Sequence, residues 1–161
     1  MKPTELSLNI ANLSKALLFR KSTIAPLSNA LNPAKQIAEN INVSIKNLEQ
    51  YQALCGFKKS EHLPPCYPHL LLFKQHVNIL SEPTFPFKLP GLIHVSNEFK
   101  QYRALHKSEK MTISSFSENL CQVKKGYRFD LVSQIHIESK LVWESRSSYQ
   151  SINKQLSKDT T

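Results

Sequence analysis

Between Leu70 and Leu80 the chain carries apolar side chains at Leu70, Leu71, Leu72, Phe73, Val77, Ile79 and Leu80. At helical spacing these cover most of the circumference, and Lys74, Gln75 and Asn78 form only a narrow polar strip. The pattern predicts a helix over about 69–80, roughly 18 Å long, apolar enough to lie inside a domain and too short to span a membrane. Ahead of it Pro64, Pro65 and Pro68 remove backbone donors and hold the chain extended. Upstream, Ile41–Ile45 alternates as a strand should. Ser44 or Asn47 is placed to cap a helix that runs to Leu54 with Leu48, Tyr51 and Leu54 on one face, and Gly56 to close it. The first 39 residues read as an arm, with a short helix over Ile10–Phe19 and a proline-punctuated extended stretch from Lys21 to Ala34.

Beyond the helix, Pro83, Pro86 and Pro90-Gly91 break the chain, and the apolar spacing changes from helical to alternating. A strand over Leu92–Leu105 is expected to show Ile93, Val95, Asn97 and Phe99 on one face and His94, Ser96, Glu98 and Lys100 on the other. Met111–Val123 is a weaker strand, rich in serine. After a turn at Lys124-Lys125-Gly126 the clearest alternation begins: Tyr127, Phe129, Leu131, Ile135 and Ile137 against Arg128, Asp130, Gln134, His136 and Glu138. A hairpin at Ser139-Lys140 leads to a return strand with Leu141, Trp143 and Tyr149. One buried helix followed by antiparallel strands is an α+β pattern, a sheet curled round a helix, the arrangement called a hot-dog fold. A single hot-dog domain is expected over residues 40–150, with residues 1–39 packed on the sheet and a polar tail over 151–161.

Several stretches, in this order, resemble the amino-terminal half of MaoC-like acyl dehydratases. They are Leu63-Pro64-Pro65-Cys66-Tyr67-Pro68-His69, Phe85-Pro86-Phe87 with Gly91–Asn97, Lys125–Leu131 and Val142-Trp143-Glu144-Ser145. The similarity runs from about Val43 to Tyr149. Proteins of that family carry two hot-dog units in tandem and act on acyl thioesters of coenzyme A or acyl carrier protein, so the resemblance implies one such half here. That family's catalytic signature, an Asp and a His a few residues apart at the start of the second unit's helix, has no counterpart here.

The length of 161 residues suits one domain and is too short for two complete hot-dog units. A net charge of +9 favours an acidic partner: acyl carrier protein, the phosphates of coenzyme A, nucleic acid or an anionic membrane. It fits equally well a solvated basic surface. No segment combines arginines, aromatics and glycines as an RNA-binding motif would, which argues against nucleic acid. Cys55, Cys66 and Cys121 are odd in number and widely spaced, and no long apolar run follows the first residues. Both features point to buried free thiols in a reducing cytoplasm.

A hydratase or dehydratase moves a proton beside a thioester carbonyl, work suited to a carboxylate with an imidazole. His69 is the imidazole at the helix start, and Glu61 is the acid nearest to it in sequence. Asp130 faces away from the apolar side of its strand, and Asp159 lies in the tail. His69 is read either as a catalytic or carbonyl-contacting residue or, more simply, as a packing or capping histidine. His76, about two turns on, shares its face and reads as a satisfied buried histidine. The candidate substrate contacts are Tyr67, His69, His94 and Asn97, with Asn97 preferred over His94 because only one of the two can face the helix. His62, Cys66 and His69 lack a fourth ligand, so no metal is expected, and no cofactor is implied. The reading is an acyl-thioester-binding hot-dog unit that pairs with itself or with a catalytic hot-dog unit. The alternative is a stand-alone enoyl-thioester hydratase, dehydratase or thioesterase using His69.

Overall fold

The structure is a computed structural model that describes residues 35–152. The expected helix over Ile10–Phe19, the arm as far as Ala34 and the tail from residue 153 lie outside the described residues, while residues 36–39 and 151–152, expected in the arm and the tail, belong to strands of the sheet. The elements in order are β1 (Gln36–Ile41), α1 (Ile45–Leu54), α2 (Tyr67–Ser81), β2 (Leu92–Gln101), β3 (Met111–Val123), β4 (Gly126–Ile137) and β5 (Lys140–Ile152). The five strands form one antiparallel sheet in the order β1-β3-β4-β5-β2, packed around α2 as the hot-dog reading expects.

Local chemistry explains most boundaries. Ser44 does not extend a strand; its hydroxyl caps α1 by accepting from the Asn47 N–H, so the first strand ends at Ile41 rather than running to Ile45. Leu48 and Gln52 form the buried side of α1, while Leu54 is 88% exposed and belongs to no apolar face. Gly56, at φ 72°, ends the helix where only a left-handed residue fits. The proline segment is tied to the sheet by the Trp143 indole, which donates to the Pro65 carbonyl at 3.0 Å, and by the Leu63 N–H donating to Leu105. The β4–β5 hairpin turns on Glu138 and Ser139, both at positive φ, one residue earlier than the spacing suggests.

Pairing residues reveal two faces of the sheet. Ile113, Ser115 and Ser117 of β3 stand opposite Ile135, Ser133 and Leu131 of β4, which in turn face Trp143, Ser145 and Ser147 of β5. This inner face meets α2. At one end Leu72 and Tyr67 pack with Met111, Ile113, Ile135 and Trp143; at the other Ile79 and Leu80 pack with Phe85, Phe87, Phe129 and Leu131. A single curved sheet cannot enclose a helix, so α2 is not buried all round: Leu70 and Phe73 each remain 49% exposed. The three cysteines are exposed free thiols, against the buried placement expected from composition. No described helix is long and apolar enough to cross a membrane.

Between the two apolar ends lies a buried polar belt. The Gln75 amide donates to the Ile113 carbonyl at 3.3 Å, which turns its own oxygen to accept from Ser115 at 2.9 Å. Ser115, its proton so used, accepts from Ser133 at 3.0 Å, and Ser133 is left to accept from His76 Nε2 at 2.6 Å. The run of donors therefore assigns His76 the tautomer protonated at Nε2. The ring is 2% exposed, and burial, then the neighbouring His69 and His94, lowers its pKa to about 3.

Two measurements test this account of packing. Phe129 is fully buried and lies against Phe85, Phe87 and Tyr149, so Phe129→Ala should cost about 3–5 kcal/mol in urea unfolding, while Leu54→Ala changes little. The unfolded chain protonates His76 near pH 6.5 and the folded chain only near pH 3. The stability tied to His76 is thus complete above pH 6.5 and is lost as pH falls through that window, roughly 2 kcal/mol by pH 5. His76→Gln should remove that part of the difference between urea midpoints at pH 7 and pH 5.

Candidate functional site

α2 carries His69 and His76 two turns apart on one side, and their rings meet edge to face with centroids 5.1 Å apart. His76 reaches Ser133 of β4, and His94 of β2, a strand at the edge of the sheet, lies close enough to act on both rings. In β2 the regular alternation breaks: the pairing with β5 shifts between His94 and Ser96, leaving Val95 as an extra residue. His94 pairs with Tyr149, Asn97 with Ser147 and Phe99 with Ser145, and these three residues of β5 share the inner face. The expectation that His94 and Asn97 lie on opposite faces is therefore overturned. The bulge brings both inward, with the His94 ring stacked on Tyr149 at 4.8 Å and Asn97 Oδ1 accepting from Ser147 at 3.1 Å.

His69 thus comes close to His94, which shares the inner face of β2 with Asn97, and the more deeply buried His76 lies next to His69. Phe73 of α2 and Phe99 of β2 are 49% and 42% exposed. Burial lowers the pKa of His69, and the proximity of His94 lowers it further, so His69 and His76 are both neutral imidazoles at neutral pH. His69 Nδ1 is buried without a hydrogen-bond partner. An unpaired buried polar atom is costly, and a ligand that satisfies it gains accordingly.

The other sequence candidates lie elsewhere. Tyr67 precedes His69 by two positions, about 200° around the helix, and is buried edge-on to Tyr51 at 5.3 Å in the core. Burial raises its pKa. Glu61 is exposed, bonded to Lys107 at 2.8 Å and close to His106 at 3.8 Å; the Lys107 bond holds its carboxyl below the usual range. It makes no hydrogen bond or ion pair with His69. Asp130 lies on the outer face, as its alternation indicates, accepting from Ser148, Asn119 and Arg146. Burial works to raise its pKa, but these three bonds outweigh that and leave it lowered. His62 pairs with His106 in an isolated bridge, and no three His, Cys, Asp or Glu residues converge to hold a metal among the described residues.

Sequence reasoning missed the buried inner row of Ser115, Ser133, Ser145 and Ser147 with Gln75. Its signal was present as serines at every second position, Ser115 and Ser117 in β3 and Ser145 and Ser147 in β5. Serines in an inward row leave room under the helix and supply hydroxyls there. Neutral imidazoles, hydroxyls and an amide can hold a carbonyl or an amide; none is a carboxylate that could take a proton from carbon beside a thioester.

No family model matches the chain. It is 24% identical over 126 residues to 3-hydroxyacyl-thioester dehydratase X of Mycobacterium tuberculosis, an alignment that covers 78% of this chain and 45% of that protein. The chain thus spans about half the length of this curated relative. The crystal structure of HtdX from the same organism superposes with a TM-score of 0.68 over 73% of this chain and 51% of that one, at 24% identity. A MaoC-like dehydratase from Phytophthora capsici gives a TM-score of 0.62 at 17% identity, over 81% of this chain and 51% of that one. A 3R-hydroxyacyl-ACP dehydratase complex of Mycobacterium tuberculosis gives 0.54 at 11% identity, over 73% of this chain and 96% of that one. The superpositions establish the fold, and the sequence match adds the relationship: the chain is a hot-dog protein related to 3-hydroxyacyl-thioester dehydratase X.

Proposed function

We propose that the chain is a substrate-binding hot-dog unit. It holds an acyl thioester of coenzyme A or acyl carrier protein between α2 and β2, and it pairs with another hot-dog unit that supplies the acid and base. The observation that carries this reading is the chemistry of the histidines. The charges that act on His69 and His76 are those of other histidines, with no carboxylate among them, while Glu61 is bonded to Lys107. The site is furnished for holding a ligand's polar groups and lacks the carboxylate that would work beside an imidazole.

Pairing has its own support. β2 is ten residues long, contains no proline and lies at the edge of the sheet, with Ile93, Val95 and Phe99 exposed along it. Such an edge invites a further strand. The chain covers 45% of dehydratase X, and the role that follows by analogy is that of one half of it; the motifs resemble the amino-terminal half of the MaoC-like enzymes. The partner is a second copy of this chain or a separate catalytic hot-dog unit.

The test is hydration of short and medium trans-2-enoyl-CoA by the purified protein, with the mass in solution recorded in the same buffer. The expected outcome is a dimer that binds the thioester without turning it over, weakened several-fold in affinity by His69→Ala and unaffected by Glu61→Ala. Turnover by the protein alone, abolished by His69→Ala, would establish the stand-alone enzyme instead.

A further inference from the structure

The polar belt has one hydroxyl left over. Ser115 donates to Gln75, Ser133 to Ser115 and Ser147 to Asn97, whereas Ser145 Oγ is buried with no partner although its residue is only 1% exposed. Ser145 stands directly opposite Ser133, whose oxygen is bonded to His76, and on its other side opposite Phe99 of the edge strand. Cross-strand partners on one face lie about 5 Å apart, so this hydroxyl sits about that far from the serine that holds His76. A hydroxyl desolvated without a partner destabilises the fold, and a ligand that brings an acceptor would satisfy it.

We infer that Ser145 is a substrate contact: its hydroxyl donates a hydrogen bond to the thioester carbonyl oxygen of a ligand lying between α2 and β2. The inference rests on the acyl-thioester reading above and adds the residue that recognises the thioester itself. A carbonyl oxygen accepts and never donates, which suits a serine whose belt neighbours have already committed their protons. Because Phe99 is 42% exposed, the row Ser133, Ser145, Phe99 ends on open surface, and the ligand's head enters from there.

Ser114 provides the control. Its hydroxyl is also buried and unpartnered, but Ser114 faces Gln134 on the outer side of the sheet. Calorimetric titration with trans-2-octenoyl-CoA and with S-octyl-CoA, a thioether that lacks the carbonyl, should be paired with thermal melts of each variant. Ser145→Ala is expected to melt no lower than the parent. It should bind the octenoyl thioester about three- to tenfold more weakly and the thioether as well as the parent does. Ser114→Ala should melt no lower and bind both ligands unchanged. Unchanged thioester affinity in Ser145→Ala would overturn the inference, leaving an unpaired hydroxyl and nothing more. An equal loss for both ligands would overturn it too, because the contact would then not be to the carbonyl. If the parent protein binds neither ligand, the acyl-thioester reading fails, and Ser145 loses its role with it.

Discussion

The chain of hydrogen bonds from the Ile113 carbonyl through Gln75, Ser115 and Ser133 to His76 fixes how the helix sits on the sheet. Apolar contacts alone would let α2 slide or turn, since Leu and Ile side chains pack in many related ways. A row of donors and acceptors with one allowed direction has only one satisfied arrangement, and any other leaves a buried polar group unpaired. The two apolar ends of the core supply most of the stabilising burial, and the belt between them sets the register in which they meet.

The same belt orients the histidines. Gln75 reaches β3 and His76 reaches Ser133 of β4, which leaves His69, two turns earlier on the same side of the helix, close to His94 of β2. Among the described residues β2 pairs only with β5 and lies at the edge of the sheet. The half-covered helix and the edge strand are both left open in the monomer. A second hot-dog unit placed along β2 would address both, and the histidines would then lie beside the junction of the two units.

Much of the architecture was legible in the chain. The apolar run from Leu70 to Leu80 marks the helix, and the alternation from Tyr127 marks β4, because burial writes its period directly into the sequence. The serine belt was harder to read, since serine is equally at home on a surface and reveals its burial only through partners far along the chain. Position 44 misled because one hydroxyl can lie in a strand or cap a helix, and the cap prevails where the following residues favour a helix. The site could not be assembled from alternation at all. His94 and Asn97 are an odd number of positions apart, and only the cross-strand pairing exposes the extra residue that brings them to one side.

That extra residue, Val95, works as a phase shift. Ahead of it the inward positions of β2 fall on even numbers, His94 among them, and after it on odd numbers, Asn97, Phe99 and Gln101. The strand thus encodes its inner surface in two frames. Along it, gain or loss of one residue is a graver event than any replacement, because a single deletion exchanges the inside and outside of the whole segment on one side of the gap. In this strand the spacing between His94 and Asn97 carries as much information as their identities.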